Sequence, residues 1–84
     1  MWPMMIVNSN HECIAFDKVI HMSVVSEGIS RNFSAIILAK MVNGDDKVIS
    51  RYTSDNAAID DFDRIMKAYD GNKQVYYTKD DGKA

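Results

Sequence analysis

The chain has one cysteine among its 84 residues, and this scarcity excludes several classes of small protein. Cys13 can form no intrachain disulfide, and it cannot build a zinc site of several cysteines. A lone, buried, structural thiol is typical of a reducing compartment. We therefore expect a cytoplasmic protein that contains neither a metal site nor a cofactor.

Positive charge is also not in excess, because the formal net charge is −2 at pH 7. A protein that binds nucleic-acid phosphates normally carries a basic face, so direct nucleic-acid binding is not expected. The apolar opening over residues 1–7 has no basic flank, and polar residues follow at once. We interpret it as neither a signal peptide nor a membrane span.

Familiar catalytic motifs are missing from the sequence, including G-x-S-x-G, Walker A, G-x-G-x-x-G, H-E-x-x-H and C-x-x-C. Neither His11 nor His21 has neighbours spaced like metal ligands. Asp60, Asp61 and Asp63 are close in sequence, but consecutive helix residues point in different directions, so we interpret them as a solvated face. The protein is predicted not to be an enzyme. The alternative is a small oligomeric enzyme whose site is shared between copies.

What is present is the composition of a folded globular protein, with 46% apolar and 26% charged residues. Strand patterns occur at residues 4–8, 13–16, 18–26, 33–42, 47–52 and 74–78. Asn43 and Gly44 predict a type I′ hairpin turn, and Asp45 and Asp46 are candidates to lengthen its loop. We predict one α+β domain over residues 1–78, an antiparallel sheet of four to six strands with one amphipathic helix on one face. Its order is β-β-β-β-β-α-β, and a flexible polar tail is expected over residues 79–84.

The helix is predicted over residues 54–69, where the apolar period changes. Thr53 or Ser54 is the expected N-cap, and Gly71 is the expected C′ residue that ends the helix. Apolar residues recur along one face of this segment with helical spacing. The residues predicted to pack on the sheet from this face are Phe62, Ile65, Met66 and Tyr69.

The strands are apolar on both faces, and this pattern is the strongest indication of a partner. One helix of about 15 residues covers a single face of a sheet. We expect a second copy of the chain to cover the other face, with an interface formed by Ile36, Leu38 and Val42. The alternative is that the first strands fold over and cover this face themselves.

Arginine and tyrosine side chains are the candidates for a ligand site. Arginine binds phosphate or carboxylate through paired hydrogen bonds, and tyrosine offers a stacking face and a hydroxyl. An anionic, ring-bearing ligand such as a nucleotide suits such groups if oligomerisation brings them together. The alternative is that they form surface salt bridges and ordinary strand contacts. The candidate residues are Arg31, Arg51, Arg64, Tyr52, Tyr76 and Tyr77.

The segments MIVNS at 5–9, FDKV at 16–19, FDRIMKAY at 62–69, Gly71 and VYY at 75–77 carry a resemblance. In this layout the chain resembles small uncharacterised proteins of Gram-positive bacteria and their phages. The resemblance implies an accessory protein of a phage or mobile element that acts by binding. It suggests an inhibitor of host defence that grips a host protein or, alternatively, a sponge that sequesters an anionic nucleotide signal at an oligomer interface. It supplies no catalytic residues.

Overall fold

The computed structural model describes residues 4–26 and 33–82. Within these residues the elements follow the predicted α+β order, and a short 3₁₀ turn (Phe16–Lys18) joins the second and third strands. The elements are β1 (Met5–Val7), β2 (Cys13–Ala15), β3 (Val19–Val25), β4 (Ala35–Met41), β5 (Asp46–Tyr52), α1 (Asp55–Asp70) and β6 (Val75–Tyr77).

The described strands form two three-stranded sheets, so the prediction of one sheet of four to six strands was wrong. In one sheet β4 pairs antiparallel with β3 and β5. In the other, β1 pairs antiparallel with β2 and parallel with β6. Alternating apolar residues identify strands but not their partners. The parallel pairing of β1 with β6 joins distant parts of the chain, and no local pattern indicates it.

The turn between β4 and β5 is longer than a two-residue hairpin turn. Gly44 has a φ of 93°, whereas Asn43 is not among the described residues with positive φ. A type I′ turn needs positive φ at both central residues, so that prediction was wrong. Residues 42–45 connect the two strands, and within them the Asn43 side chain accepts a hydrogen bond from the Asp45 main chain at 3.0 Å. This contact closes the longer loop locally.

Both ends of α1 are capped by side-chain or main-chain contacts. Ser54, one of the two predicted candidates, is the N-cap, and its hydroxyl accepts a hydrogen bond from the Ala57 N–H at 3.1 Å. The left-handed C′ residue is Asn72, with φ 59°, and not Gly71, whose φ is −84°. The Lys73 N–H donates to the Ala68 carbonyl at 3.0 Å, which closes a Schellman motif. Asparagine tolerates this conformation, so the helix ends one residue later than predicted.

The face of α1 that packs on the core differs from the predicted face. Among the four residues predicted to pack, Ile65 is buried and Phe62 is half-buried, but Met66 and Tyr69 are 41% and 56% exposed. The helix is therefore rotated about its axis so that a narrow stripe of smaller residues meets the sheet. The buried residues of this stripe are Ala58, Asp61, Ile65 and Ala68.

The core is formed by α1, the inner face of the β3–β4–β5 sheet, and the buried residues Ile6 of β1 and Ile14 of β2. At the centre of β4 the inward residues Ala35, Ile37 and Ala39 are fully buried, and two of them are alanines that allow a close approach. Asn8, at the end of β1, donates from its side chain to the Ile49 carbonyl at 2.6 Å. This buried hydrogen bond ties the two sheets together.

Residues 79–82 are held against the fold, although a flexible tail was predicted from residue 79. Asp80 accepts a hydrogen bond from the Ser9 hydroxyl at 2.5 Å, and Asp81 accepts one from the Thr53 hydroxyl at 2.6 Å. The Gly82 N–H donates to the Arg51 carbonyl at 2.9 Å. Polar composition indicated a solvated tail, but these polar groups bind exposed ends of β1 and β5. Residues 83 and 84 lie outside the described residues.

Candidate binding groove between the helix and the last strand

A buried carboxylate on α1 organises this part of the molecule. Asp61 is fully buried and accepts hydrogen bonds from the hydroxyls of Tyr52 and Tyr76. Its third donor is the Lys79 N–H, at 2.9 Å from Oδ2. The expectation that Asp61 belongs to a solvated face was therefore wrong, whereas its neighbours Asp60 and Asp63 are exposed.

The two tyrosines are held as neutral donors by their surroundings. Burial, followed by the hydrogen bond to the Asp61 carboxylate, raises the pKa of Tyr52 well above its ordinary value near 10. The same causes raise the pKa of Tyr76. Ser50 lies 2.6 Å from the Tyr52 hydroxyl, and since that hydroxyl already donates to Asp61, Ser50 is the donor here. The hydroxyls of Ser50, Tyr52 and Tyr76 thus each donate their proton to a hydrogen bond within the cluster.

This cluster has a positioning role, because it joins four parts of the chain at one carboxylate. Tyr52 ends β5, Asp61 lies in α1, Tyr76 lies in β6, and Lys79 follows β6. Within the described residues, no buried side-chain nitrogen or oxygen lacks a hydrogen-bond partner. The cluster therefore sets the distance between α1 and β6, and the groove described next lies between these elements.

An open groove of about 510 Å³ runs between the second half of α1 and β6. From the helix it is lined by Arg64, Lys67 and Ala68. The opposite wall consists of Lys73, β6 and Lys79. Lys73 reaches the groove because the Schellman motif reverses the chain at Asn72, and Lys79 does so because its main chain is bound to Asp61.

The groove is strongly basic in an acidic protein. Four of its lining side chains are Arg64, Lys67, Lys73 and Lys79, and among the described residues no carboxylate lines it. The ion pairs of the described residues are Lys40–Asp46 and Lys47–Glu12, which lie elsewhere. None of these four side chains forms an ion pair within the described residues, so their positive charge is concentrated along the groove, and this attracts an anionic ligand.

Aromatic surface completes the groove. Tyr77 is 69% exposed, whereas Tyr76 is half-buried with its hydroxyl bound to Asp61. Their side chains leave β6 on opposite faces, as adjacent strand residues do. Tyr77 is therefore the ring that is free to contact a ligand, and Tyr76 serves as part of the wall.

Three of the six ligand residues predicted from the sequence meet in this groove, namely Arg64, Tyr76 and Tyr77. Arg51 lies on the β3–β4–β5 sheet with its guanidinium 5.7 Å from the Phe33 ring centroid, which is a cation–π contact. Tyr52 is fully buried in the Asp61 cluster and cannot touch a ligand. Arg31 lies outside the described residues.

Three lysines of the groove and Asp61 were not predicted from the sequence. Lys67, Lys73 and Lys79 are spread over a helix, a loop and the residues after β6, and their convergence depends on tertiary structure. A sequence signal existed for Asp61 alone. It follows Ala58 by three residues and precedes Ile65 by four, so it continues the helical period of the buried stripe.

The predicted interface residues are placed on two different surfaces. Ile36 and Leu38 are half-buried on the outer face of the β3–β4–β5 sheet, opposite to α1. Val42 follows β4 in the turn and is 56% exposed. Cys13, which was expected to be buried, is exposed on β2.

Two other depressions are less specific in their chemistry. One, near the β4–β5 turn, is lined by side chains of both charges, including Lys18, Lys47, Asp45 and Asp46. The other is an apolar depression of about 210 Å³ beside Phe16, Ile20, Phe62 and Met66. Neither combines one sign of charge with exposed aromatic surface as the basic groove does.

Over residues 4–26 and 33–82, no three histidine, cysteine or acidic side chains are grouped to hold a metal ion. In the same part of the chain no helix has the length and apolar character needed to cross a membrane. No family model, curated protein or solved structure matches this chain.

Proposed function

We propose that this protein acts by binding, and that it grips an acidic segment of a partner protein in the groove between α1 and β6. The observation that carries the proposal is the convergence of four basic side chains on one groove that no described carboxylate lines. The chain as a whole has a net charge of −2, so this is a local concentration of charge. Such a patch steers association with oppositely charged partners.

A protein segment suits the groove better than a free nucleotide does. Sites for small molecules usually bury most of the ligand in a concave pocket, whereas this groove is open along its length. The nucleotide sponge is the second candidate because Tyr77 is exposed beside the basic side chains. Its ring could stack on a base while the cations neutralise phosphates.

The resemblance to small proteins of Gram-positive bacteria and their phages supplies the biological setting of this proposal. In that setting the bound partner is a host protein in the cytoplasm, and the bound state blocks a step of host defence. An inhibitor of this kind needs no reaction of its own, because occupying the partner's surface is sufficient.

Charge reversal in the groove tests the proposed function. We expect the double variant Lys67→Glu, Lys73→Glu to lose at least about tenfold in affinity for a glutamate-rich ten-residue peptide, measured by calorimetry at low salt. The matched control is Lys18→Glu combined with Lys40→Glu, which changes net charge equally but away from the groove. Equal losses in both double variants would show a general charge effect and would contradict the proposal.

The nucleotide alternative is decided in the same experiment by adding ATP as a second titrant. Tighter binding of ATP than of the peptide, with loss in the Tyr77→Ala variant, would favour the sponge. Failure of both titrants to bind the parent protein would contradict an anion-binding groove of either kind.

We further propose that the chain forms a homo-oligomer through the outer face of the β3–β4–β5 sheet. Cross-strand pairs place Val25 beside Ile36 and Leu38 beside Val48 on this face, and all four are half-buried. Light scattering at micromolar concentration should give a mass above one chain, and the Leu38→Lys variant should give the monomer mass. A parent protein that remains monomeric on concentration would contradict this assembly.

A further inference from the structure

We propose that the acidic partner segment binds as an added β-strand along the outer edge of β6. This inference rests on the proposed function and specifies its geometry. The partner is then recognised by main-chain hydrogen bonds as well as by charge, which is the established physics of strand addition.

The main chain of β6 has an available edge. The Gln74 carbonyl accepts from the Met5 N–H at 2.8 Å, and the Thr78 N–H donates to the Val7 carbonyl at 2.9 Å. In a parallel ladder alternate residues bond to the same neighbour, so residues 74, 76 and 78 face β1, and Val75 and Tyr77 point their main-chain groups away. In the described part of the chain β1 is the one strand paired with β6.

The groove follows this edge and not a face of the sheet. It is lined by the consecutive residues Val75, Tyr76 and Tyr77. Because consecutive strand side chains point to opposite faces, a groove that touches all three must run along the strand edge. The main-chain groups of Val75 and Tyr77 therefore open into the same space that the basic side chains surround.

The charges at this edge select the occupant. Lys73 and Lys79 lie beyond the two ends of β6, and Arg64 and Lys67 lie across the groove. Lysines beside an edge strand normally oppose edge-to-edge pairing between copies of a protein, since they bring like charges together. A strand that carries carboxylates is attracted by the same arrangement. The edge thus disfavours a second copy of β6 and favours an acidic segment.

The two edges of the second sheet lack this combination of free main-chain groups and positive charge. None of the β3 residues is lysine or arginine, and on β5 the Ile49 and Arg51 carbonyls already accept hydrogen bonds from the Asn8 side chain and the Gly82 N–H. An acidic strand added to β3 would gain main-chain hydrogen bonds but no charge pairing from that strand. Charge complementarity therefore assigns the acidic segment to β6.

The ligand chemistry follows from the alternation of a strand. Glutamate or aspartate side chains on one side of the added strand meet Arg64 and Lys67, and apolar side chains on the other side pack on Val75 and Tyr77. Both of these apolar residues are exposed, at 43% and 69%. The preferred segment is extended, alternates acidic and apolar residues, and is short, because β6 itself has three residues.

The inference is tested with peptides whose main chain is altered. The probe is an eight-residue peptide of alternating glutamate and valine, titrated by calorimetry. Two N-methylated versions are compared, one methylated at every glutamate and the other at every valine. We expect one version to lose detectable binding and the other to keep its affinity within about threefold, because only one of these two sets of N–H groups faces β6. Equal binding of both N-methylated peptides and the parent peptide would overturn strand addition while leaving an acid-binding groove intact.

A variant pair tests the same point from the protein side. Tyr77→Pro removes the outward N–H, whereas Tyr77→Ala removes the ring and keeps the N–H. We expect the proline variant to lose at least about tenfold more affinity than the alanine variant, with thermal melting used to confirm that both are folded. Equal affinity of the two would overturn the inference. If the proline variant does not fold, the peptide comparison decides.

One further titrant separates this inference from the binding of other anions. A ten-nucleotide thymidine strand that bound more tightly than the peptide would overturn strand addition in favour of nucleic acid. If neither the peptide nor any other acidic titrant binds, the proposed function itself fails together with this inference.

Discussion

At the residue scale, Asp61 lies in α1 between two exposed acidic residues, Asp60 and Asp63, yet it is fully buried. Its carboxylate accepts three hydrogen bonds, two from tyrosine hydroxyls and one from a main-chain N–H. A buried donor that loses its acceptor carries a desolvation penalty. The contribution of Asp61 therefore lies in satisfying groups from β5, β6 and the residues after β6.

Replacing Asp61 with alanine should lower the free energy of unfolding by roughly 2–4 kcal/mol, because two tyrosine hydroxyls and the Lys79 N–H lose their acceptor. Urea denaturation measures this change. The matched control is Asp63→Ala, an exposed acidic residue of the same helix, which should change stability by about 0.5 kcal/mol or less. Similar changes in the two variants would contradict the structural role assigned to Asp61.

Gly82 is a second residue whose identity matters. A Cβ placed on it would lie 2.8 Å from the Arg51 carbonyl carbon and from the Phe33 Cβ, and 2.9 Å from the Tyr52 nitrogen. Two of these are main-chain atoms, which cannot move aside easily. The close approach explains how the Gly82 N–H reaches the Arg51 carbonyl.

We expect Gly82→Ala to detach residues 80–82 from β5 and to increase hydrogen exchange at the Gly82 and Thr53 amides by at least about tenfold. These two N–H groups bind the Arg51 carbonyl and the Asp81 carboxylate. Gly71→Ala is the control, since its nearest contact would be 3.3 Å and its φ is negative. Unchanged protection at Thr53 in the Gly82 variant would show that this contact does not hold the segment.

At the element scale, α1 carries two apolar stripes. One stripe is buried and centred on Ile65, and a neighbouring apolar stripe that includes Ile59, Met66 and Tyr69 is exposed. Tyr69 packs its ring against Phe16 with centroids 5.0 Å apart, so this second stripe borders the turn before β3.

The rotation of the helix is tested by two substitutions at adjacent positions. Ile65→Ala should lower the free energy of unfolding by about 2–5 kcal/mol, because it leaves a cavity against the sheet. Met66→Ala should change it by about 0.5 kcal/mol, because Met66 lies outside the buried stripe and is 41% exposed. Thermal and urea unfolding of both variants give the comparison, and a larger effect at Met66 would place the other face of the helix on the core.

At the scale of the whole molecule, polar contacts make stability depend on pH at both extremes. The pKa values of Tyr52 and Tyr76 are raised in the folded protein, mainly by burial. Those of Glu12 and Asp81 are lowered, chiefly by side-chain hydrogen bonds from Asn8 and Thr53 respectively. Each shift makes the folded state bind protons differently from the unfolded chain.

The tyrosine contribution is complete below pH 10, where unfolded tyrosine is still protonated. Above pH 10 the unfolded chain releases protons that the folded protein retains, so stability should fall as pH rises further. Urea unfolding between pH 8 and 11 measures the slope. Tyr76→Phe should flatten it, whereas Tyr77→Phe, which alters an exposed ring, should not. A parent protein with constant stability across this range would contradict the assignment.

At low pH, stability depends on pH in the opposite direction. Glu12 and Asp81 contribute above their ordinary pKa values of 4.5 and 3.8, and this contribution is lost as pH falls through the lowered folded values. Asp81 binds Thr53 and Glu12 binds Lys47, so acid should first loosen the residues after β6 and the turn after β1.

The sequence by itself determined the α+β class, the element order and the position of the helix, and it narrowed the N-cap to Thr53 or Ser54. These features depend on local periodicity and on capping chemistry within a few residues, which the order of the amino acids expresses directly. Of the six candidate ligand residues named from the sequence, Arg64, Tyr76 and Tyr77 line one groove, and their contact with a ligand stays a prediction.

Only the tertiary structure decided how the strands pair, which stripe of α1 is buried and where the lysines converge. The β1–β6 pairing joins residues about 70 positions apart, and its energy depends on contacts that no short window contains. Asp61 illustrates the physical reason. A carboxylate in a sequence is expected to be solvated, because burying an unpaired charge is costly. Asp61 is buried here because three donors from distant parts of the chain bind it and offset that cost.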